Sequence, residues 1–335
     1  MRNFVGLVIG WLVSDAATAA IFFVFSVRAL GPPRFDFPLV KLFRFYFPLE
    51  MMQIVNYAQT YFDRAFLLVY VSLATLGIYN AAVTAFGVLQ GVSGGMANVL
   101  FAAYSSLQEN GEDRSRMQVA VKLGTRYATL TVTPLAFALL AAAKPALTLL
   151  AGDSYAGGSL SLSIFSGAFA LTVFATALGP IFLALEETNI AAMITGVTVV
   201  LGVALAYMLL PEWGIIGAAA ARALAMILGT VLLILILSRK ITLELDLRLV
   251  AKTLIAGTTM AAVVVAVQLV EYSKFMLPLY ALVGTVVYLI MLRLLKTVDA
   301  SDLNLLRRFL GKRLLLLSSI LSWVLLGTEG PRSAN

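Results

Sequence analysis

From Phe4 to Leu295 the chain returns repeatedly to apolar runs of about 20 residues, the length a helix needs to cross the hydrocarbon core of a bilayer. In lipid a backbone must satisfy its own hydrogen bonds, and runs of this length do so as helices. The sequence therefore predicts an all-α, polytopic membrane bundle of about nine spans. These are Phe4–Val27, Phe47–Tyr70, Ile78–Tyr104, Leu123–Leu150, Leu160–Leu185, Ile190–Leu210, Ile215–Leu237, Thr253–Val270 and Met276–Leu295. Composition agrees: 61% of residues are hydrophobic, 12% are charged and the mean hydropathy is +0.96. A soluble domain of this size could not bury that much apolar surface. Pro134 and Pro145 are expected to kink the fourth span and Gly179-Pro180 to break the fifth, because proline removes a backbone donor.

The second span is unlike the others. It carries Glu50, Gln53, Asn56, Gln59, Asp63 and Arg64 ahead of the run AFLLVYVSLATLGIY. Residues three or four apart share a helix face, so Glu50, Gln53, Asn56 or Tyr57, Thr60 and Arg64 form one polar stripe. Charges at membrane depth are costly and face a bundle interior or a watery cavity. This helix is read as the wall of such a cavity. Asp63 and Arg64 are adjacent and about 100° apart on a helix, so they do not pair well with each other. Arg64 and Arg222, the latter within a run of alanines, are candidates for a substrate phosphate, whose geometry a guanidinium fork matches. The competing reading is structural: an intramembrane ion pair joining Asp63 or Arg64 to Glu50 or Arg222. Gln53, Asn56 and Gln59 could hydrogen-bond sugar hydroxyls or knit helices together. Asp15 is a candidate cavity or coupling-ion residue, with helix packing the preferred reading, and Glu50 is a cavity or interfacial residue.

Several classes of function are excluded. The chain has no cysteine and no histidine, so thiol, iron–sulfur and histidine-based acid–base chemistry are absent. No phosphate-binding GxxxxGK[ST] loop occurs. No enzymatic constellation, metal site or cofactor is expected. The net charge of +7 resides mainly in loops, where it would meet anionic membrane lipids rather than nucleic acid. Arg28, Arg34, Lys41 and Arg44 follow the first span, Arg114, Arg116, Lys122 and Arg126 the third, and Arg239, Lys240, Arg248 and Lys252 the seventh. Lys274, Lys144 and Arg2 fall on the other side. By the positive-inside rule the C-terminus is cytoplasmic and the N-terminus outside. The first run is too long for the apolar core of a signal peptide. Residues 1–45 are read as one helix and a linking loop, 46–295 as a transmembrane lobe, and 296–335 as a basic amphipathic cytoplasmic tail whose Leu314–Gly327 segment is too short to span.

Four elements occur in order. They are Asp63-Arg64 followed by Gly77-Ile78-Tyr79-Asn80-Ala81-Ala82; Phe101-Ala102-Ala103-Tyr104-Ser105-Ser106-Leu107; Gly152-Asp153-Ser154-Tyr155; and Pro211-Glu212-Trp213-Gly214-Ile215-Ile216-Gly217-Ala218-Ala219. Together they resemble the polysaccharide-exporter branch of the multidrug/oligosaccharidyl-lipid/polysaccharide (MOP) flippase superfamily. Ala102 stands where that branch usually has proline. The resemblance implies two helical lobes, of which this chain would hold the last helix of the first and the whole of the second, lacking most of the N-terminal lobe. It also implies a substrate, lipid-linked oligosaccharide of the polyprenyl-phosphate type, moved across the cell membrane for polysaccharide export. Two other readings stand beside it. One is a cation-coupled drug exporter of the same superfamily, led by Asp15, Asp63 and Glu50. The other is a half-transporter or truncated remnant, inactive unless a missing N-terminal lobe on another chain joins it.

Overall fold

A computed structural model describes residues 4–31, 39–109, 114–241, 243 and 245–297. The chain is an all-α membrane bundle. Its helices are α1 (Phe4–Leu30), α2 (Leu39–Tyr70), α3 (Leu73–Glu109), α4 (Arg114–Ala141), α5 (Ala143–Leu150), α6 (Ser159–Leu171), α7 (Phe174–Ala184), α8 (Thr188–Ser238), α9 (Leu247–Val270) and α10 (Leu277–Leu294). A 3₁₀ turn, Asp153–Gly158, leads into α6. Packing divides the chain into two units, Met1–Gln53 and Ile54–Asn335, a division that falls within α2, whereas the sequence was divided at 45–46. The basic tail from 298 onward, including Leu314–Gly327, and Arg34 in the first loop lie outside the described residues.

Among the described residues, five helices are long and apolar enough to cross a membrane by themselves, and up to seven spans result if each of two bent pairs is one. Counting α2, with its charged residues, and the two arms of α8 separately restores the sequence count of about nine. Helix α8 requires this division. Its 51 residues would extend about 76 Å as one rod, more than twice the thickness of the apolar core. Gly214, at φ 52° and ψ −127°, leaves the helical region and turns the chain back. A side chain there would be strained. Gly217 then lies directly on the backbone of Leu209, where no Cβ fits. Further along, a Cβ on Gly229 would lie 2.6 Å from Thr198 Oγ1. Thr198 and Gly229 are nearly equidistant from the turn in sequence, so the arms form an antiparallel hairpin with small residues at the seam.

The bends have local causes. Helices α4 and α5 meet at 75° around Ala142. Pro145 has no N–H for the carbonyl of Ala141, and its ring would clash with that carbonyl in a continuous helix. Pro134 sits inside α4. The 60° bend between α6 and α7 lies at Thr172–Val173, not at Gly179-Pro180 as the sequence suggested. Pro180 is accommodated inside α7. The helix instead loosens at Thr172, whose N–H divides between the carbonyls of Ala168 and Phe169 while its hydroxyl bonds the same two oxygens.

The main core of the second unit gathers Phe62 and Leu67 of α2, Tyr79 and Phe86 of α3, Phe165 of α6, and Ala206, Leu210, Ala218, Ala219 and Ala221 of α8. A second cluster, including Tyr104, Val121, Leu178, Phe182, Ile194 and Leu237, closes one end of the bundle. Helices α9 and α10 pack on α4 through Met260, Tyr288 and Leu292, with Gly257 taking the ring of Phe137. Large apolar residues such as Val88, Leu269, Leu282 and Leu294 stay exposed on the lipid-facing exterior.

Candidate functional site

The second unit holds one charged cluster at its centre. Asp63 on α2 is completely buried. Its Oδ2 accepts from Arg222 Nη1 at 2.9 Å and from the Tyr79 hydroxyl at 2.5 Å, and its Oδ1 accepts from the backbone N–H of Arg64 at 2.8 Å. Arg222 Nη1 also reaches the carbonyl of Thr60 at 3.2 Å, and the guanidinium lies 5.8 Å from the ring centroid of Phe165. The local sequence explains the placement. Ala218–Ala221 and Ala223 are small enough for α8 to close against its neighbours, which draws Arg222 inward with them. A buried charge requires a partner, and Asp63 supplies it. The ion-pair reading of these residues is thus the one the structure displays.

Arg222 is not consumed by that pair. Its Nη2 and Nε make no hydrogen bond to the described residues, and the side chain lines a cavity of about 140 Å³ with Gln59, Thr60, Phe62, Gln90, Thr198, Ala225 and Met226. This cavity shares Gln59, Gln90, Thr198 and Met226 with a larger one of about 400 Å³. The larger cavity is walled by Gln59 of α2, Gln90, Ser93 and Gly94 of α3, Thr172 and Thr176 at the α6–α7 bend, and Thr195, Thr198, Gly229 and Thr230 of α8, with Phe169, Ile194, Met226 and Leu233 supplying apolar wall between them. Ser93 and Thr176 bond each other at 2.6 Å. The bend at Thr172 therefore opens directly onto this wall.

The other predicted residues are placed as follows. Gln59 lines both cavities. Arg64 is partly buried; its guanidinium lies 4.7 Å from the ring centroid of Tyr61, and its Nε is buried without a hydrogen-bond partner among the described residues. Asn56 is exposed on α2. Asp15, Glu50 and Gln53 are exposed residues of the first unit. The sequence reading held Thr60 in the polar stripe and Tyr79 only within a family motif, and it did not single out Gln90, Ser93 or the threonines beyond α2. A signal existed in the three-residue spacing of Gln90 with Ser93 and of Thr195 with Thr198, which puts each pair on one helix face. No group of three or more acidic or other metal-ligating side chains occurs among the described residues.

Residues 1–159 match the model of a family described as polysaccharide biosynthesis protein. A probable low-salt glycan biosynthesis flippase, Agl15 of Haloferax volcanii, is 25% identical over 177 residues, covering 53% of this chain and 37% of the relative. The fold matches the solved structure of the lipid II flippase MurJ, in an inward closed conformation, with a TM-score of 0.66 at 16% identity, over 86% of this chain and 60% of that one. These likenesses agree with the resemblance of the sequence to the MOP flippase superfamily. The chain spans little more than a third of the curated relative's length. Both named relatives are flippases rather than enzymes, in agreement with the absence of a catalytic constellation from the sequence.

Proposed function

We propose that the chain is the substrate-handling part of a flippase that moves a polyprenyl-phosphate-linked oligosaccharide across the cell membrane for polysaccharide export. One observation carries this reading: a cavity with hydroxyl and amide side chains in its wall within a membrane bundle, sharing Gln59, Gln90, Thr198 and Met226 with a smaller one that Arg222 also lines. The family description and the named flippases support the same class of substrate. Asp63 fixes one edge of the guanidinium, and the other edge is offered to a phosphate. Gln59 and Gln90 meet polar groups of the headgroup. Asn56 and Arg64 extend the polar face of α2. The polyprenyl chain stays in the lipid. Asp15, Glu50 and Gln53 are given no role. The basic end of the second unit is cytoplasmic in this reading. A partner chain carrying further helices is compatible with it, because the relatives are longer.

The test is translocation in proteoliposomes of a fluorescent polyprenyl-pyrophosphate oligosaccharide, read by a membrane-impermeant quencher. The full chain should increase the rate at which the label changes leaflets. Arg222→Ala should lower that rate about tenfold or more, the equivalent of one lost charge-assisted hydrogen bond, and Arg222→Lys should be less harmful. Equal rates for the wild type and Arg222→Ala would remove Arg222 from the site.

A further inference from the structure

The hydrogen-bond polarity of the larger cavity indicates which part of a ligand it accepts. Four of its threonines have committed their hydroxyl protons to their own helices. Thr172 donates to Ala168 O at 3.0 Å, Thr195 to Ala191 O at 2.9 Å, Thr198 to Ile194 O at 2.8 Å and Thr230 to Met226 O at 2.9 Å. A hydroxyl has one proton and two lone-pair sites, so each of these offers only acceptor capacity to the space in front of it. Ser93 and Thr176 use one of their two protons on each other. Fixed donors on the wall are thereby reduced chiefly to the amides of Gln59 and Gln90. No charged side chain lines this cavity among the described residues; Arg222 lines only the smaller one.

Ligand chemistry follows from that count. A phosphate brings acceptors alone and would set oxygen against oxygen here. A metal ion or ammonium would find acceptors but no carboxylate to balance its charge. An uncharged polyol brings one O–H donor with every oxygen, and those donors match the threonine lone pairs. About 400 Å³ lies within the roughly 300–1,000 Å³ usual for small-molecule sites. We infer that the larger cavity is a sugar chamber: it takes the neutral, hydroxyl-rich part of the ligand and excludes the phosphate to the Arg222 cavity beside it. This inference rests on the flippase reading and adds to it the division of one headgroup between two chemically opposed compartments.

The test uses the full chain in lipid nanodiscs, with lactose and inorganic pyrophosphate as separate probes. Lactose binding is measured by saturation-transfer NMR and pyrophosphate binding by calorimetry. Thr195→Val with Thr230→Val keeps the side-chain shape and removes two acceptors. It should weaken lactose about tenfold or more and leave pyrophosphate unchanged. The corresponding double serine variant keeps both hydroxyls and should restore lactose binding, which separates loss of acceptors from loss of folding. Arg222→Gln should do the reverse, weakening pyrophosphate and sparing lactose. Lactose bound equally well by the valine variant, or not bound by the wild type, overturns the sugar chamber and leaves the flippase reading standing. Pyrophosphate weakened together with lactose in the valine variant also overturns it. Pyrophosphate binding that ignores Arg222, with lactose still dependent on the threonines, instead removes the phosphate half of the flippase reading and keeps the chamber.

Discussion

Asp63 is shielded from solvent and accepts three hydrogen bonds, from Tyr79, Arg222 and the backbone of Arg64. Its two side-chain partners differ in weight. Tyr79→Phe removes one neutral donor and should cost about 0.6 kcal/mol, near the average for hydrogen bonds inside membrane proteins. Asp63→Ala strands a guanidinium inside the bundle, and breaking a buried pair from one side costs about 3–5 kcal/mol. Thermal unfolding in detergent should therefore rank Asp63→Ala far below Tyr79→Phe. Asp63→Leu with Arg222→Leu should be more stable than Asp63→Leu alone, because the double change leaves no unpaired charge. If the double variant is the least stable, the pair contributes through something other than charge balance. The members of this pair were legible in the sequence because a charge within an apolar run stands out. Their pairing was not, since 159 residues separate them and two other partners were equally open on paper. The threonines of the cavity were harder still. Threonine is ordinary in an apolar helix, where its hydroxyl bonds its own backbone, and only the packing of α2, α3, α7 and α8 makes a common wall of them.

At the scale of the element, turns were easier to read than bends. Pro211-Glu212-Trp213-Gly214 announces a tight reversal through its glycine and proline, and Gly214 supplies the backbone conformation that reversal needs. The α6–α7 bend was misplaced because proline was taken as its cause. Pro180 lies inside α7 without ending it, while Thr172 offers its helix alternative bonds to Ala168 and Phe169 just where α6 ends. The hairpin of α8 allows a graded prediction. Gly214→Ala forces a side chain into positive φ, at about 1–3 kcal/mol. Gly217→Ala places a methyl group on the Leu209 backbone, which cannot move aside as a side-chain tip can, and should destabilise at least as much. Gly196→Ala, on the same helix with nothing within 4 Å of its would-be Cβ, should be neutral or stabilising by up to about 1 kcal/mol. Detergent melts of the three variants decide this. An equal loss for Gly196→Ala would mean that helix flexibility, and not the seam, sets the cost.

For the whole second unit, the decisive question is how many times the chain crosses between its charged ends. One end is marked by Lys274 bonded to Asp153 and by Lys144 over the ring of Tyr272. The other carries Lys240 with Glu187, Arg126 with Asp246, and Lys252 bonded to the carbonyl of Lys296. The excess of basic residues at the second end is what the positive-inside rule expects of the cytoplasmic face proposed for it. Between Ser154, exposed in the 3₁₀ turn, and Ser238, exposed at the end of α8, lie the bent pair α6–α7 and the two arms of α8. If the bent pair is a broken span, the chain crosses three times and the two serines lie on opposite faces. If it is re-entrant, two crossings return Ser238 to the face of Ser154. The absence of native cysteine makes the experiment clean, because a single introduced thiol reports alone. In intact cells an impermeant maleimide should label Ser154→Cys at once and Ser238→Cys only after lysis. Both labelled from outside would make α6–α7 a re-entrant pair and would put the threonine cavity at the end of a loop entering from one face. The opposite pattern, Ser238→Cys labelled first, would invert the molecule and with it the direction in which the cavity is proposed to carry its sugar.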